Sequence, residues 1–239
     1  MSLSIVIPAF EEAHKIARDV NAATSFLKEH CIAGEVIIVD DGSNDDTAAA
    51  ALRAMPVDGI PCRVIRLETN RGKGHAVRTG IGEAACEYVM FADSGSCVPL
   101  DNVLHGIEMI AKGECDIAHG SRKMPGCRIN RPQSRWRRMC SKAFQFIVHT
   151  WLKLPANLTD TQCGFKVYRA DVGKNLYSQA VTDGFTFDVE IIARAQRCGY
   201  RIKEFPVEWT CDCDSRISLR RTSLRVFREL VKIKRVLNK

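Results

Sequence analysis

The chain has 239 residues, 46% of them hydrophobic and 26% charged, which is enough to bury one sizeable core and too apolar for a disordered chain. Its formal net charge is +7, and no apolar run reaches the ~18 residues of a membrane-spanning helix, so it is expected to be soluble or bound to a membrane from one side. The 11 cysteines lack CxxC spacing and are odd in number. Cys86, Cys140 and Cys198 lie in apolar segments, where free cysteine acts as a small hydrophobe, so reduced thiols in a reducing compartment are expected. The close pair Cys211 and Cys213 has no partners at zinc spacing, and no metal site is expected there.

Leu3 to Pro8 reads as the first strand, ended by a proline that cannot donate to a ladder. Met1-Ser-Leu-Ser leads straight into it without a basic stretch, so no secretory leader is expected. Glu11 to about Lys28 carries Ile16, Val20, Ala23 and Leu27 at helical spacing. Glu35 to Val39 is a β-branched strand of the buried parallel kind. Asp40-Asp-Gly-Ser-Asn-Asp-Asp-Thr47 then turns and caps a helix from Thr47 to Met55. Four carboxylates so close repel one another unless some of them face hydrogen-bond donors of a ligand. Arg63 to Leu67 is the third strand, and Asn70-Arg-Gly-Lys-Gly-His75 opens a helix running to Ala85. Glycines around a lysine at a helix start bring N–H groups and a cation toward a phosphate, although the spacing is not that of a Walker loop.

Tyr88 to Ala92 is a fourth strand, stopped by Asp93 and the small residues Ser94, Gly95 and Ser96. Ligands of open parallel sheets sit beyond the carboxyl ends of the strands. A carboxylate there suits a cation or a sugar hydroxyl, and it suits a turn equally well. A helix from about Leu100 to Lys112 and a strand from Asp116 to Gly120 complete a doubly wound α/β layer. Ser121 to Arg131 reads as a basic loop, Ser134 to Leu154 as a helix with an apolar second half, and Thr159 to Lys166 as a polar loop entering a strand from Phe165 to Tyr168. Phe185 to Arg197 is a helix, Arg201 to Glu208 a strand, and Leu219 to Leu237 a basic amphipathic helix suited to a membrane surface or to packing. This gives one domain over 1–214 and a helical tail over 215–239.

Charge is distributed unevenly. No acid lies between Asp116 and Asp160, and from Ser215 onward Glu229 is the lone acid among many bases. Two basic blocks imply anionic partners such as phosphates or an anionic membrane surface. Nucleic acid is not expected, because no reading motif accompanies them.

Ser4-Ile-Val-Ile-Pro-Ala-Phe-Glu-Glu12, Val39-Asp-Asp-Gly-Ser43, Asn70-Arg-Gly-Lys-Gly74 and Phe91-Ala-Asp93 together resemble the family 2 glycosyltransferases of the GT-A fold. Gly120-Ser-Arg122, Asp160-Thr-Gln-Cys-Gly-Phe-Lys166, Phe187-Asp-Val-Glu190 and Pro206-Val-Glu-Trp209 are similar to the polyprenyl-phosphate sugar synthases, including the dolichyl-phosphate glucose and mannose synthases. The resemblance implies a mixed, mostly parallel sheet flanked by helices. It places Pro8 and Glu12 by the base and ribose, Asp40 on the base with Asp41 in support, and Lys73 near the ribose or diphosphate. Asp93 would be the first acid of a metal-binding DxD motif, with Mg²⁺ or Mn²⁺ as cofactor. The second acid is replaced by Gly95, Cys97 stands where the mannose synthases have glutamine, and Glu11 replaces a usual asparagine. One hard oxygen ligand is poor provision for such an ion. Three outcomes follow: a metal held weakly by Asp93 and the diphosphate, charge neutralisation by bases such as Arg122, or impaired transfer.

The implied reaction is an inverting transfer of a hexose from a nucleotide sugar, UDP-glucose before GDP-mannose, to a polyprenyl phosphate. A phosphate nucleophile needs positioning and charge stabilisation rather than a strong base. Asp93, Asp160 and Arg122 are the candidate catalytic residues, with Arg131, Arg135, Arg138 and Gln162 toward the acceptor phosphate. A soluble hydroxyl acceptor would need Asp160 or Asp188 as base, and a binding protein without transfer activity is the third reading. The enzyme is expected at the cytoplasmic face of a membrane, bound peripherally.

Overall fold

The structure is a computed structural model. It describes residues 1–57, 59–131, 135–155, 157–210 and 219–237, and leaves out the side chains of Arg131, Arg137 and residues 219–224. The expected boundary at 214/215, the Cys211–Cys213 pair and the acceptor role of the Arg131 side chain therefore lie outside the described residues.

The described chain runs β1 (Ser2–Ala9), α1 (Ile16–Glu29), β2 (Ala33–Asp40), α2 (Thr47–Ala54), β3 (Cys62–Arg66), α3 (Lys73–Glu83), β4 (Tyr88–Ala92), α4 (Asn102–Ala111) and β5 (Ile117–Ser121). It continues through β6 (Arg128–Arg131), α5 (Arg135–Leu152), β7 (Phe165–Arg169), α6 (Ala170–Ser178), α7 (Phe187–Arg197), β8 (Ile202–Pro206), β9 (Glu208–Thr210) and α8 (Leu219–Leu237). Seven strands form one sheet in the order β3-β2-β1-β4-β7-β5-β8. Strand residues alternate between its faces. Leu3, Ile5 and Ile7 pack with α1, α2 and α4, whereas Val6, Ile37, Val39, Val89 and Phe91 pack with α3, α6 and α7. Helices cover both faces, which is why the strands read as unbroken apolar runs.

β7 runs antiparallel to both β4 and β5, while the other pairings in this sheet are parallel. Its amino end therefore lies at the same edge as the carboxyl ends of its neighbours, with Phe165 opposite Ala92. That reversal carries the loop of residues 159–164 to the edge where β1, β2, β4 and β5 all end.

Three expectations need correction. Residues 128–131, expected as loop, form β6, which pairs with β9 in a second, two-stranded sheet. The strand expected over 201–208 is divided between the sheets, because Pro206 has no N–H to extend the ladder beside Ser121. Helix α6 was absent from the reading, since Gly173 interrupts a short pattern whose Val172, Leu176 and Tyr177 are nonetheless buried. The basic tail does form a helix. Its Leu230, Ile233 and Leu237 join Val148, Leu154, Leu158, Val189 and Ile192 in a third apolar cluster, so this face of α8 is a packing face.

Candidate active site

The ends of β1 and β2 form one wall. Pro8 is buried opposite Val39, and Ala9 pairs with Asp40. Asp40 is fully buried, and its Oδ1 accepts the Ser43 N–H at 3.0 Å, which closes the turn after β2. Its Oδ2 accepts no hydrogen bond and lies 3.6 Å from the Arg66 guanidinium. Asp41 accepts the backbone N–H groups of Arg71 at 3.1 Å and Gly72 at 2.7 Å, anchoring the glycine-rich loop. Burial raises the pKa of Asp41 against those two bonds. The Glu12 N–H donates to Thr47 Oγ1 at 2.8 Å, and the Glu12 carboxylate pairs with Lys15 at 2.9 Å.

Lys73 is the first residue of α3, and its ammonium forms an ion pair with Asp93 at the end of β4. The Phe91 and Phe187 rings lie 5.6 and 5.8 Å from that nitrogen. Behind them Lys166 Nζ donates to Asp188 at 2.6 Å and to the Cys163 carbonyl at 2.7 Å. Burial opposes the charge on Lys73, but Asp93 and Asp188 outweigh it and raise its pKa. Lys73, Asp93, Lys166 and Asp188 thus form an alternating, mutually compensating group. Gly164 sits so close that a Cβ there would occupy the space of the Asp93 carboxylate, and its carbonyl accepts the Asp93 N–H at 3.2 Å.

The third wall is Arg122 and Asp160. Arg122 Nε and one terminal nitrogen donate to the two carboxylate oxygens at 2.6 and 2.8 Å, and the Arg122 backbone N–H adds a third bond at 3.1 Å. The guanidinium lies 5.3 Å from the centre of the Trp209 ring. Glu204 fixes the loop from below by accepting the N–H groups of Thr159 at 2.8 Å and Asp160 at 2.7 Å. Burial alone would raise the Asp160 pKa, but Arg122 overcomes it and holds the carboxyl below its usual range. Asp93 is near enough to act electrostatically on Arg122, so the two ion pairs share one cleft. Gln162 is half-buried in the same loop, whereas Arg135 and Arg138 are exposed in the first turn of α5.

The loop after Asp93 is held by a residue that the sequence reading missed. Asp19 of α1 accepts the Gly95 N–H at 2.8 Å and the Ser96 hydroxyl at 2.7 Å. Its signal was present: Asp19 stands on the stripe of Ile16, Val20, Ala23, Phe26 and Leu27, a carboxylate on the buried face of α1. Gly95 has φ +99°, a conformation open to glycine and costly for other residues. Among the described residues, no group of three or more His, Cys, Asp or Glu side chains is placed to hold a metal ion. Asp93 is engaged by Lys73 and Asp19 by the loop backbone, so the residues present do not make a resident metal site.

Residues 4–176 match the family described as Glycosyl transferase family 2. The dolichyl-phosphate beta-glucosyltransferase of Saccharomyces cerevisiae is 31% identical over 249 residues, which is 97% of this chain and 74% of that protein. The human enzyme of the same name is 32% identical over 223 residues, or 87% of this chain and 67% of its own length. Glycosyltransferase AglD of Haloferax volcanii is 30% identical over 94% of this chain, which spans only 35% of that longer protein. Among solved structures, mannosyl-3-phosphoglycerate synthase of Rubrobacter xylanophilus superposes with a TM-score of 0.73 at 15% identity, over 98% of this chain and 74% of that one. Glucosyl-3-phosphoglycerate synthase of Mycobacterium tuberculosis, crystallised with Mn²⁺ and UDP-glucose, gives 0.69 at 18% identity, over 97% and 78% of the two chains. Those neighbours show the mixed, mostly parallel GT-A fold, and the matched span contains every wall of the cleft up to Gly164. The chain belongs to glycosyl transferase family 2.

Proposed function

We propose that this protein is an inverting glucosyltransferase that moves glucose from UDP-glucose to a polyprenyl phosphate. One observation carries the choice of acceptor: the carboxylates around the cleft are already engaged. Asp93 is held by Lys73, Asp160 by Arg122, Asp188 by Lys166 and Glu12 by Lys15. A hydroxyl acceptor needs a base to take its proton, whereas a phosphate oxygen arrives anionic. The names of the yeast and human relatives favour glucose and a lipid phosphate over GDP-mannose.

In this reading the turn shaped by Asp40, with Asp41, Pro8 and Glu12, frames the base and ribose. A lone pair of the acceptor phosphate forms the new bond to the anomeric carbon from the face opposite the diphosphate. The bond from that carbon to the diphosphate oxygen breaks, and its electron pair leaves with UDP. Lys73 meets the charge that develops on the leaving group, and Arg122, fixed by Asp160, faces the acceptor phosphate alongside Gln162. Preorganised cations of this kind stabilise the transition state without reorganising. Arg131, Arg135 and Arg138 would draw the acceptor headgroup toward the cleft. A Mg²⁺ or Mn²⁺ ion belongs in this scheme to the donor's own diphosphate, with Asp93 as its one carboxylate.

Among the described residues no helix is long and apolar enough to cross a membrane. The exposed Trp136, Met139, Phe146 and Ile147 of α5, together with Arg135, Arg138 and the bases of α8, suit the surface of an anionic membrane carrying the lipid. That arrangement supports a peripheral enzyme at a cytoplasmic face, built from one domain over 1–214 and its tail helix.

The test is release of nucleoside diphosphate from UDP-glucose and GDP-mannose, with and without a polyprenyl phosphate, in Mg²⁺, Mn²⁺ or EDTA. Release from UDP-glucose that depends on the lipid phosphate is the expected result. Binding of nucleotide with no sugar transfer in any condition would instead make the chain a nucleotide-binding homologue.

A further inference from the structure

The lone acid of the basic tail does not face solvent. Glu229 of α8 is 13% exposed, accepts the Thr186 hydroxyl at 2.5 Å and takes Arg225 Nε at 3.1 Å. Thr186 is the residue that begins α7, two positions before Asp188. Arg225 also donates to the backbone carbonyl of Arg71 at 3.2 Å, two residues before Lys73. One turn further along α8, Lys232 Nζ donates to the Val181 carbonyl at 2.6 Å. Three successive polar residues of one helix face thus bind the segments 181–186 and 71–72.

Those two segments are locked to each other. Asp183 pairs with Arg71 at 3.3 Å and Arg78 at 2.5 Å, and its carbonyl accepts the His75 N–H at 3.3 Å. Gly72 has φ +121°, and a Cβ on it would run into the Asp183 carbonyl and come within 3.0 Å of the Arg225 guanidinium. From its other side the same loop is held by Asp41. The backbone that presents Lys73 is therefore clamped between the end of β2 and α8.

We infer that α8 is a strap that sets the position of Lys73, with Glu229 and Arg225 as positioning residues for the donor site. The inference rests on the proposed role of Lys73 toward the nucleotide diphosphate, but its structural content does not. A lysine whose backbone shifts by an ångström loses its place in the transition state while the fold persists. The strap also joins the outer basic surface of the tail to the donor loop, so the helix suited to the lipid surface is mechanically continuous with the loop that holds the donor's charge.

The experiment uses the full chain and four variants, Glu229→Ala, Glu229→Gln, Arg225→Ala and, as control, Lys234→Ala. Lys234 lies on the same helix, 5.0 Å from the Trp151 ring, and bonds neither segment. Amide hydrogen exchange of peptides covering 70–75 and 181–187 is measured first, then the dissociation constant for UDP and the melting temperature. The strap predicts at least about fivefold faster exchange in both peptides for Glu229→Ala and Arg225→Ala, and wild-type exchange for Lys234→Ala. It predicts UDP binding weakened about five- to tenfold in the same two variants, with partial recovery in Glu229→Gln, which keeps an oxygen for Thr186. Unchanged exchange in a folded Glu229→Ala protein overturns the inference. If the wild-type chain binds no UDP, the donor reading fails on its own, and the exchange data still decide the strap.

Discussion

Asp19 in the middle of α1 reaches across to the loop after β4 and accepts the Gly95 N–H at 2.8 Å. The loop is thereby shaped around a residue at φ +99°. The missing second acid of the DxD pattern is thus part of a loop built for glycine, in which a different carboxylate serves as backbone anchor. Its raised pKa, the result of burial set against the Gly95 and Ser96 bonds, shows how far that carboxylate is from solvent.

Restoring the acid by Gly95→Asp is expected to damage the protein rather than complete a metal site. A non-glycine residue in a disfavoured backbone region costs about 1–3 kcal/mol, or a fall in Tm of roughly 2–10 °C for a chain of this size. Tm and Mn²⁺ titration of activity check this. A variant as stable as wild type that gains steep metal dependence would show that the loop accepts a second acid.

Removing the cation at the head of α3 separates binding from folding. Asp93, its partner, is 38% exposed and can be rehydrated when Lys73 is replaced, so Lys73→Ala is expected to fold. Its kcat/KM for the nucleotide sugar should fall about 10²–10³-fold, the usual cost of losing one preorganised charge at a leaving group. Circular dichroism and steady-state kinetics on the same sample decide it: full activity in the folded variant removes Lys73 from the mechanism.

Much of this architecture was legible in the chain. The unbroken apolar runs of β1, β2 and β4, each ending in Pro, Asp or Ala-Asp, marked a parallel sheet and the edge where ligands gather. What escaped were elements whose local signal is weak. β6 is four residues of alternating basic and polar type whose pairing with β9 depends on a distant proline, and α6 is interrupted by Gly173. Asp93, Lys73, Arg122 and Asp160 were each identifiable as site candidates, but their pairing was not. Partners 20 or 38 positions apart are chosen by the reversed direction of β7 and by packing, and periodicity does not encode either. The anchoring roles of Asp19, Glu204 and Glu229 were hidden for the same reason.

The Arg122–Asp160 pair should dominate acid stability at the cleft. The folded pKa of Asp160 lies below its ordinary value of 3.8, so the pair's contribution is complete above that value and is lost as pH falls through the folded pKa. Asp160→Asn leaves the Arg122 guanidinium, 19% exposed, without its counter-charge. Breaking a buried pair from one side costs about 3–5 kcal/mol. Urea unfolding at pH 7 and pH 3 is the measurement. The difference between wild type and Asp160→Asn should be large at pH 7 and shrink at pH 3, and an equal difference at both would mean that the charge on Asp160 contributes nothing.

The pH dependence of transfer tests the absence of a general base. Asp160 stays ionised through the working range because Arg122 depresses its pKa, and Asp188, raised by burial against Lys166 and Lys73, is 4% exposed and closed off from the cleft. The group left to titrate is the acceptor, whose second phosphate ionisation falls near ~6. Under subsaturating lipid phosphate, kcat/KM should therefore rise with pH to about that value and then level off. A phosphorothioate acceptor loses its second proton at lower pH, and the rise should move down with it. If the rise stays in place when the acceptor is changed, the titrating proton belongs to the protein, a side chain acts as base, and a hydroxyl becomes the more natural acceptor for this cleft.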